Sequence, residues 1–427
     1  MSVFIHHLET SLPETSYDQA FASGLMQKNV GSRDGTKRII RSIYNNSGIE
    51  KRHSVIKDFD KSGTSPLFFD KDGYRLPPPD TQTRNEIYTR EARHHFTALA
   101  GQLIRNTPGF EKEDITHIVT VSCTGFFAPG PDYHIVRDLG LPGTTQRYHI
   151  GFMGCYAAFQ GLKMAEAFCR SQPDSVVLVL CVELCTLHLQ FSDDTDAIIS
   201  ASVFADGGSG ALVSARRPAT TELPHDESPD SNTHPGSCPL EMLSFHSDLT
   251  PEGENDMAWT IGNEGFQMKL STYVPDIIRK NIGPALETML RAGGLPFDDI
   301  SRWAIHPGGR AILDKIQDEL HLADDQIAAS RKVLREYGNM SSATILFVLK
   351  EMMDHPGKPV GETIFAMAFG PGLTIESALF QSNPSQNGQD VTKRAHTTAS
   401  KSISATGKQP PSRKPSGISR HETGQSL

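Results

Sequence analysis

The stretch His149-Ile150-Gly151-Phe152-Met153-Gly154-Cys155-Tyr156-Ala157-Ala158 decides how this chain is read. Its glycines punctuate a short turn that delivers one cysteine. Behind it, Ala157, Ala158, Leu162, Ala165, Ala167 and Phe168 follow at spacings that suit a helix packed deep in a protein. A cysteine in the first turn of such a helix feels the positive end of the backbone dipole. That field lowers its pKa and favours the nucleophilic thiolate. On this stretch alone, Cys155 reads first as a small buried core residue, as most free cysteines are.

On both sides of this stretch, short apolar strands alternate with helices. Residues 115–123 form a strand rich in β-branched side chains, 124–131 a turn-rich loop and 133–139 a helix. Residues 175–182 are fully apolar, and 203–213 run from a glycine-rich turn into a strand. This alternation predicts a layered α/β fold. A polar segment rich in Pro, Ser, His and Asp follows at 218–239 and reads as a connecting loop. The theme then restarts. Order resumes at 242–247, residues 265–290 read as one long helical region, and 300–306 as a strand ending in His306-Pro307-Gly308-Gly309. An amphipathic helix covers 310–320, Tyr337-Gly338-Asn339-Met340-Ser341-Ser342-Ala343 opens an apolar helix, and 363–368 and 375–380 are strands. The recurrence of strand, glycine turn and buried helix predicts a duplicated pair of halves, residues 1–217 and 240–380. Beyond 381 large apolar side chains nearly vanish, so 381–427 is expected to be a disordered tail.

Composition excludes several classes of function. The 427 residues carry a net charge of −9, which argues against nucleic acid or an anionic membrane as the partner. The six cysteines form no Cys-x-x-Cys pair and no zinc-like spacing, so no metal is expected. Such sparse cysteines point to a reducing compartment. The N-terminus lacks the pattern of a secretory leader. The longest apolar run, 176–182, is far too short for a membrane span. A cytoplasmic protein without membrane insertion is expected. Near the N-terminus, residues 38–43 read as a basic helix, followed by Glu50-Lys51-Arg52-His53. This is either a solvated face or a landing site for a polyanion.

Three side chains carry the chemistry. Cys155 lies at a helix start, His306 at a strand end and Asn339 at the start of another helix. An imidazole can hold or move the proton of a thiol, and an imidazole with a carboxamide aimed at one spot makes an oxyanion hole. The same pair can steady an enolate left by loss of carbon dioxide. Taken singly, His306 reads as a strand-end histidine and Asn339 as a helix cap.

Together with their neighbours, these residues make the sequence recognisable. Gly154-Cys155, Trp303-Ala304-Ile305-His306-Pro307-Gly308-Gly309, Tyr337-Gly338-Asn339-Met340-Ser341-Ser342-Ala343 and Phe369-Gly370-Pro371-Gly372-Leu373-Thr374-Ile375-Glu376 occur in order. In them the chain resembles the type III polyketide synthases, the chalcone and stilbene synthase family of the thiolase superfamily. The likeness is to bacterial members, since Ser122-Cys123-Thr124-Gly125 is closer to theirs than to the plant form.

The resemblance implies a thiolase-like αβαβα fold and a homodimer that uses coenzyme A thioesters as substrates and no cofactor. Cys155 would take the acyl-CoA starter, while His306 and Asn339 would drive decarboxylation of malonyl-CoA. A short polyketide of pyrone, resorcinol or phloroglucinol type would be cyclised or released. Phe204 and Phe266 would be the paired gatekeeper phenylalanines, whose apolar wall suits decarboxylation. Cys123, Cys185, His188, Met257 and Ser341 would line the cavity with Gly308 and Gly309, and Gly370, Pro371 and Gly372 would shape the cyclisation pocket. Bulky His188 and Met257 stand where the family often has small residues, so the cavity is expected to be narrowed or redirected. Arg38, Arg41, Lys51 and Arg52 are the candidates for the coenzyme A phosphates. Two other enzyme classes share part of this pattern. A ketoacyl-ACP synthase III-like enzyme shares Cys, His and Asn but not the Gly338-Asn339-Met340-Ser341-Ser342 run. A papain-type cysteine hydrolase shares the order Cys, His, Asn but carries a local Cys-Gly-x-Cys-Trp signature absent here.

Overall fold

The structure is a computed structural model that describes residues 1–31, 33–59, 66–218, 238–357 and 361–382. Most of the expected loop and all but two residues of the expected tail therefore lie outside the described residues.

The first half supplies strands β1 (Phe4–Ser11), β4 (His117–Ser122), β5 (Gln146–Gly151), β6 (Val176–Leu184) and β7 (Asp206–Ser214), with a small pair β2 (Thr15–Asp18) and β3 (Lys51–Ser54) at one side. Its helices are α1 (Gln19–Asn29), α2 (Asp34–Asn45), α3 (Thr81–Asn106), α4 (Pro131–Leu139), α5 (Ala157–Ser171) and α6 (Thr195–Val203). The second half supplies β8 (Leu240–Leu249), the hairpin β9 (Met257–Gly262) and β10 (Gly265–Leu270), then β11 (Arg302–Ile305), β12 (Thr363–Gly370) and β13 (Thr374–Ser382). Its helices are α7 (Val274–Gly293), α8 (Arg310–Leu320), α9 (Ala328–Tyr337) and α10 (Thr344–Asp354).

Nine strands join in the order β11-β12-β13-β8-β1-β7-β6-β4-β5. Outward from the middle, β1-β7-β6-β4 and β8-β13-β12-β11 trace the same path. In each half the outer pair is parallel (β4 with β6, β11 with β12) and the remaining pairs are antiparallel. The first half adds β5 beyond β4 as a further parallel strand. The seam between halves is only two residue pairs wide, Phe4 with Glu241 and Ile5 with Leu240.

Three apolar clusters define the layers. Strand β6 is buried on both faces and sends Val177, Val179 and Cys181 one way and Val176, Leu178, Leu180 and Val182 the other, as the two-residue period dictates. The first set packs with α5 and α10 and with inward residues of the other half such as Ala304, Ile364 and Ala366. The second set packs against α3 through Tyr88, Phe96, Leu99 and Leu103. In the second half, Trp303, Ile305, Phe365 and Met367 face α7 and α8 instead. The result is helix, sheet, helix, sheet, helix, with α5 and α10 as the shared central layer.

Two local readings are corrected. Residues 265–270 are the strand β10, and the helix begins only at Val274. Phe266, Met268 and Leu270 alternate with Gln267 and Lys269, a two-residue period that hid beside a strongly helical neighbour. The last strand runs to Ser382, where Gln381 and Ser382 still pair with Glu241 and Leu240.

Candidate active site

The site forms where the C-terminal ends of parallel strands from both halves meet. Ser122 at the end of β4 lies opposite Gly151 at the end of β5, and Cys123 and the Cys155 turn follow directly. In the second half, His306 follows β11 and Gly370 ends β12. Such strand ends are where α/β proteins open binding crevices.

Cys155 sits in a tight turn, Gly154–Tyr156, just before α5 rather than within its first turn. Gly154 has φ +77°, and a methyl group there would meet Pro371 Cδ at 2.6 Å. Only glycine fits that approach, so the turn and the Gly370-Pro371-Gly372 loop are keyed together. The Cys155 thiol is 6% exposed. Burial pushes its pKa up to about 12, with weaker opposing help from Ser341, so desolvation outweighs the helix field expected from sequence.

His306 is 1% exposed, and neither ring nitrogen has a partner among the described residues. Burial lowers its pKa to about 3, so the unliganded ring is neutral. A buried imidazole with both nitrogens free is costly unless a ligand meets it. Asn339 is held more tightly. Its backbone donates to Val203 O at 2.9 Å and accepts from Ala205 N at 2.9 Å, bridging it to Phe204. Its Oδ1 accepts from Ser341 N at 2.9 Å, and its Nδ2 donates to Gly308 O at 3.3 Å. The carboxamide is thereby oriented. Cys155 Sγ lies 4.0 Å from Asn339 Oδ1.

Cys155, His306 and Asn339 line one chamber, whose atom-free space with its open mouth included is about 470 Å³, with Cys123, Met257, Gly308 and Pro371 among its other walls. The three side chains picked out in sequence therefore converge. A cleft of about 710 Å³, its mouth included, abuts the chamber at Leu270, Gly308 and Ile312. Gly309, Asn46 and Arg310 also line that cleft.

Other expected residues fall elsewhere. Phe204 lines the chamber, but Phe266 does not. Its ring stacks on His188 at 4.2 Å between centroids, and Met268 holds the wall beside Phe204. Cys185 and His188 line a neighbouring cavity. Ser341 supports the site through Asn339 and through a 3.4 Å contact from its Oγ to Cys123 Sγ. Arg52 is corrected outright. It is 3% exposed and donates to Ala201 O at 2.8 Å and Phe204 O at 2.7 Å, so it cannot meet a phosphate in solvent. Arg38, Arg41 and Lys51 are exposed, but none lines the cleft.

Sequence reading missed several residues. Glu183, fully buried at the end of β6, accepts from Ser342 Oγ at 2.6 Å, Thr124 Oγ1 at 2.9 Å and Cys123 N at 3.0 Å. It ties the Cys123 turn to the Asn339 turn. A lone acid in an apolar strand was its signal. Trp259 also lines the chamber and donates from Nε1 to Cys123 O at 2.7 Å. Met268 and Arg310 carried no signal beyond their place in a strand and a helix.

Comparison with known proteins agrees with this geometry. The chain matches the family described as "Chalcone and stilbene synthases" through its N-terminal domain over residues 5–217 and its C-terminal domain over residues 241–384. It is 30% identical over 347 residues to the "Alpha-pyrone synthesis polyketide synthase-like Pks18" of Mycobacterium tuberculosis, covering 81% of this chain and 83% of that one. It is 28% identical to a "Putative chalcone synthase" of Bacillus subtilis, covering 88% and 98%. Among solved structures, PKS-I from the brown alga Ectocarpus siliculosus superposes with TM-score 0.78 and 30% identity over 89% of this chain and 98% of that one. The 1,3,6,8-tetrahydroxynaphthalene synthase of Streptomyces coelicolor, at 24% identity, shares the fold, with TM-score 0.75 over 90% and 100%.

Proposed function

Because this chain belongs to the chalcone and stilbene synthase family of type III polyketide synthases, we propose that Cys155, His306 and Asn339 are the groups with which it condenses an acyl-CoA starter with malonyl-CoA. The observation that carries this reading is the meeting of the three side chains in one buried chamber.

In the first step the Cys155 sulfur attacks the thioester carbonyl, its proton passes to His306, and coenzyme A leaves with that proton. The carboxyl of malonyl-CoA then departs as carbon dioxide. The negative charge left on the thioester oxygen is held by N–H groups of His306 and Asn339. The enolate carbon attacks the acyl-Cys155 carbonyl, and the chain moves onto coenzyme A. A dry wall of Phe204, Met257 and Met268 favours this, since it penalises the compact carboxylate more than the delocalised enolate. The resting site holds thiol and imidazole neutral, so the charges arise only with substrate in place.

The adjoining cleft suits the pantetheine arm, and Arg310 at its rim is placed for a coenzyme A phosphate. With Trp259 occupying part of the chamber, release as a pyrone needs the least room, and resorcinol or phloroglucinol rings are the alternatives. No further cofactor enters these steps. Strand β5 is an exposed edge of the sheet, and a second copy would cover it, so the proposed assembly is a homodimer. Among the described residues no helix is long and apolar enough to cross a membrane, and all six cysteines are free thiols, which fits a cytoplasmic location.

The test is incubation with a panel of acyl-CoAs and labelled malonyl-CoA, with products identified by mass spectrometry. Label is expected in a short polyketide, and Cys155→Ala is expected to abolish chain extension. Extension at the wild-type rate in that variant would contradict the assignment.

A further inference from the structure

Arg52 sits beneath the backbone that presents Phe204 and Asn339 to the chamber. Strand β3 alternates, so Lys51 is exposed and Arg52 is buried, opposite Tyr17 of β2. Burying a guanidinium is costly unless its charge is offset and its N–H groups are used. Aromatic faces supply part of the offset. The Arg52 Cζ lies 5.1 Å from the ring centre of Tyr17 and 5.9 Å from that of Tyr44.

The larger offset is the end of α6. The last carbonyls of a helix lack intrahelical partners and carry the negative end of its dipole. The carbonyls of Ala201, Ser202 and Val203 find donors from elsewhere in the chain. Ala201 O accepts from Arg52 Nη1 at 2.8 Å, Ser202 O from Gln19 Nε2 at 2.7 Å and Val203 O from Asn339 N at 2.9 Å. Phe204 O accepts from the same Arg52 Nη1 at 2.7 Å. One nitrogen thus clasps the chain on either side of Ser202-Val203. A cation suits this place better than a neutral donor, since it also meets the negative helix end.

The other strand of the junction rests on the same side chain. Asn339 N donates to Val203 O and Asn339 O accepts from Ala205 N, so Phe204 and Asn339 face each other across a parallel bridge. Gly338, just before Asn339, has φ +72°. A methyl group on it would meet both Arg52 Cγ and Val203 O at 3.0 Å. The arginine stem and the end of α6 form the bed on which Gly338 lies, which suits a residue without a side chain. Phe204 and Asn339 both line the chamber, so a shift of the α6 end moves both. His306 is held separately, at the end of β11, where its backbone donates to Met367 O at 2.8 Å.

We propose that Arg52 is a positioning residue for the decarboxylation step, clamping the end of α6 so that the Asn339 carboxamide and the Phe204 ring keep their places. This rests on the roles proposed above for Cys155, His306 and Asn339. It also divides the reaction. Decarboxylation depends on the clamp, whereas acylation of Cys155 draws on His306, which lies outside it.

The test compares Arg52→Met and Arg52→Lys with wild type, with melting temperature as the check of folding. Two assays are run: release of carbon dioxide from labelled malonyl-CoA, and single-turnover acylation of Cys155 by an acyl-CoA, read by intact mass. Arg52→Met keeps a stem against Gly338 but removes the donor. It is expected to slow decarboxylation by about tenfold or more, since misplacement by about 1 Å can cost roughly a hundredfold, while acylation changes far less. Arg52→Lys keeps a cation and is expected to recover part of the loss. In an Asn339→Ala background, Arg52→Met is expected to have no further effect on decarboxylation, because the group it positions is gone, whereas a merely structural role multiplies the two losses. If Arg52→Met does not fold, Arg52→Lys carries the same comparisons with a smaller expected drop. Unchanged decarboxylation in a folded variant, equal losses in both assays, or full multiplication in the double variant overturns the clamp while leaving the condensing reading intact. A wild type that neither releases carbon dioxide nor is acylated would instead refute the condensing reading.

Discussion

At the residue scale, the site is a thiol and an imidazole that burial holds neutral, beside a carboxamide that the backbone orients. In the proposed reaction each belongs to a step in which charge must appear in a dry place. Removing the donors should therefore cost more than removing contacts. His306→Ala is expected to slow malonyl-CoA decarboxylation about 10²- to 10³-fold, the usual cost of one oxyanion donor, with a smaller change in KM. Release of carbon dioxide from labelled malonyl-CoA measures this. Asn339→Asp places a carboxylate where negative charge develops and should be at least as damaging. These residues were legible because short, glycine-flanked motifs surround them. Phe266 was misassigned because Phe266 and Met268 are two residues apart on one strand, and sequence does not say which reaches the chamber. Arg52 failed as a phosphate contact because nothing local to Lys51-Arg52-His53 tells that its side chain turns inward to Ala201 and Phe204.

At the scale of elements, Cys155 is placed by how closely α5 approaches the sheet. A methyl group at Gly161 would meet Val179 Cγ1 at 2.7 Å, so this face of the helix has no room for a side chain. Gly161→Leu is expected to destabilise the fold by about 1–3 kcal/mol through overpacking, read as a lower urea midpoint. Glu183 fixes the other side. Glu183→Ala strands the donors of Ser342, Thr124 and Cys123, each costing about 1–3 kcal/mol when left unsatisfied in the interior. The expected outcome is loss of soluble folded protein or a sharp drop in melting temperature. The fully apolar strands were legible from their β-branched runs. Strand β10 was not, because six residues of alternation weigh little beside the twenty-residue helix α7.

At the scale of the whole molecule, two halves with the same strand path wrap one helical layer. Sequence showed this only as a repeated theme, since side chains in the two halves have diverged while the pairing pattern has not. Burial at this scale also predicts acid lability. Burial lowers His6 to about 4, His188 to about 3 and His306 to about 3, against about 6.5 in the unfolded chain. Their neutral forms favour the fold above pH 6.5, and that stability is lost as pH falls from 6.5 toward those values. The loss is at most about 1.4 kcal/mol per histidine per pH unit. Urea midpoints between pH 7.5 and 5 should fall, and His6→Gln should flatten the slope. A midpoint that is constant over this range would contradict the burial of these rings.

The central claim is that the Cys155 sulfur is the point of acyl attachment. Intact mass and peptide mapping after incubation with an acyl-CoA, without malonyl-CoA, test it most directly. One acyl group per chain is expected on the peptide containing Cys155, absent in Cys155→Ala and slowed in His306→Gln. Acylation of Cys123 in its place, or no acylation of the folded wild-type protein, would contradict the account.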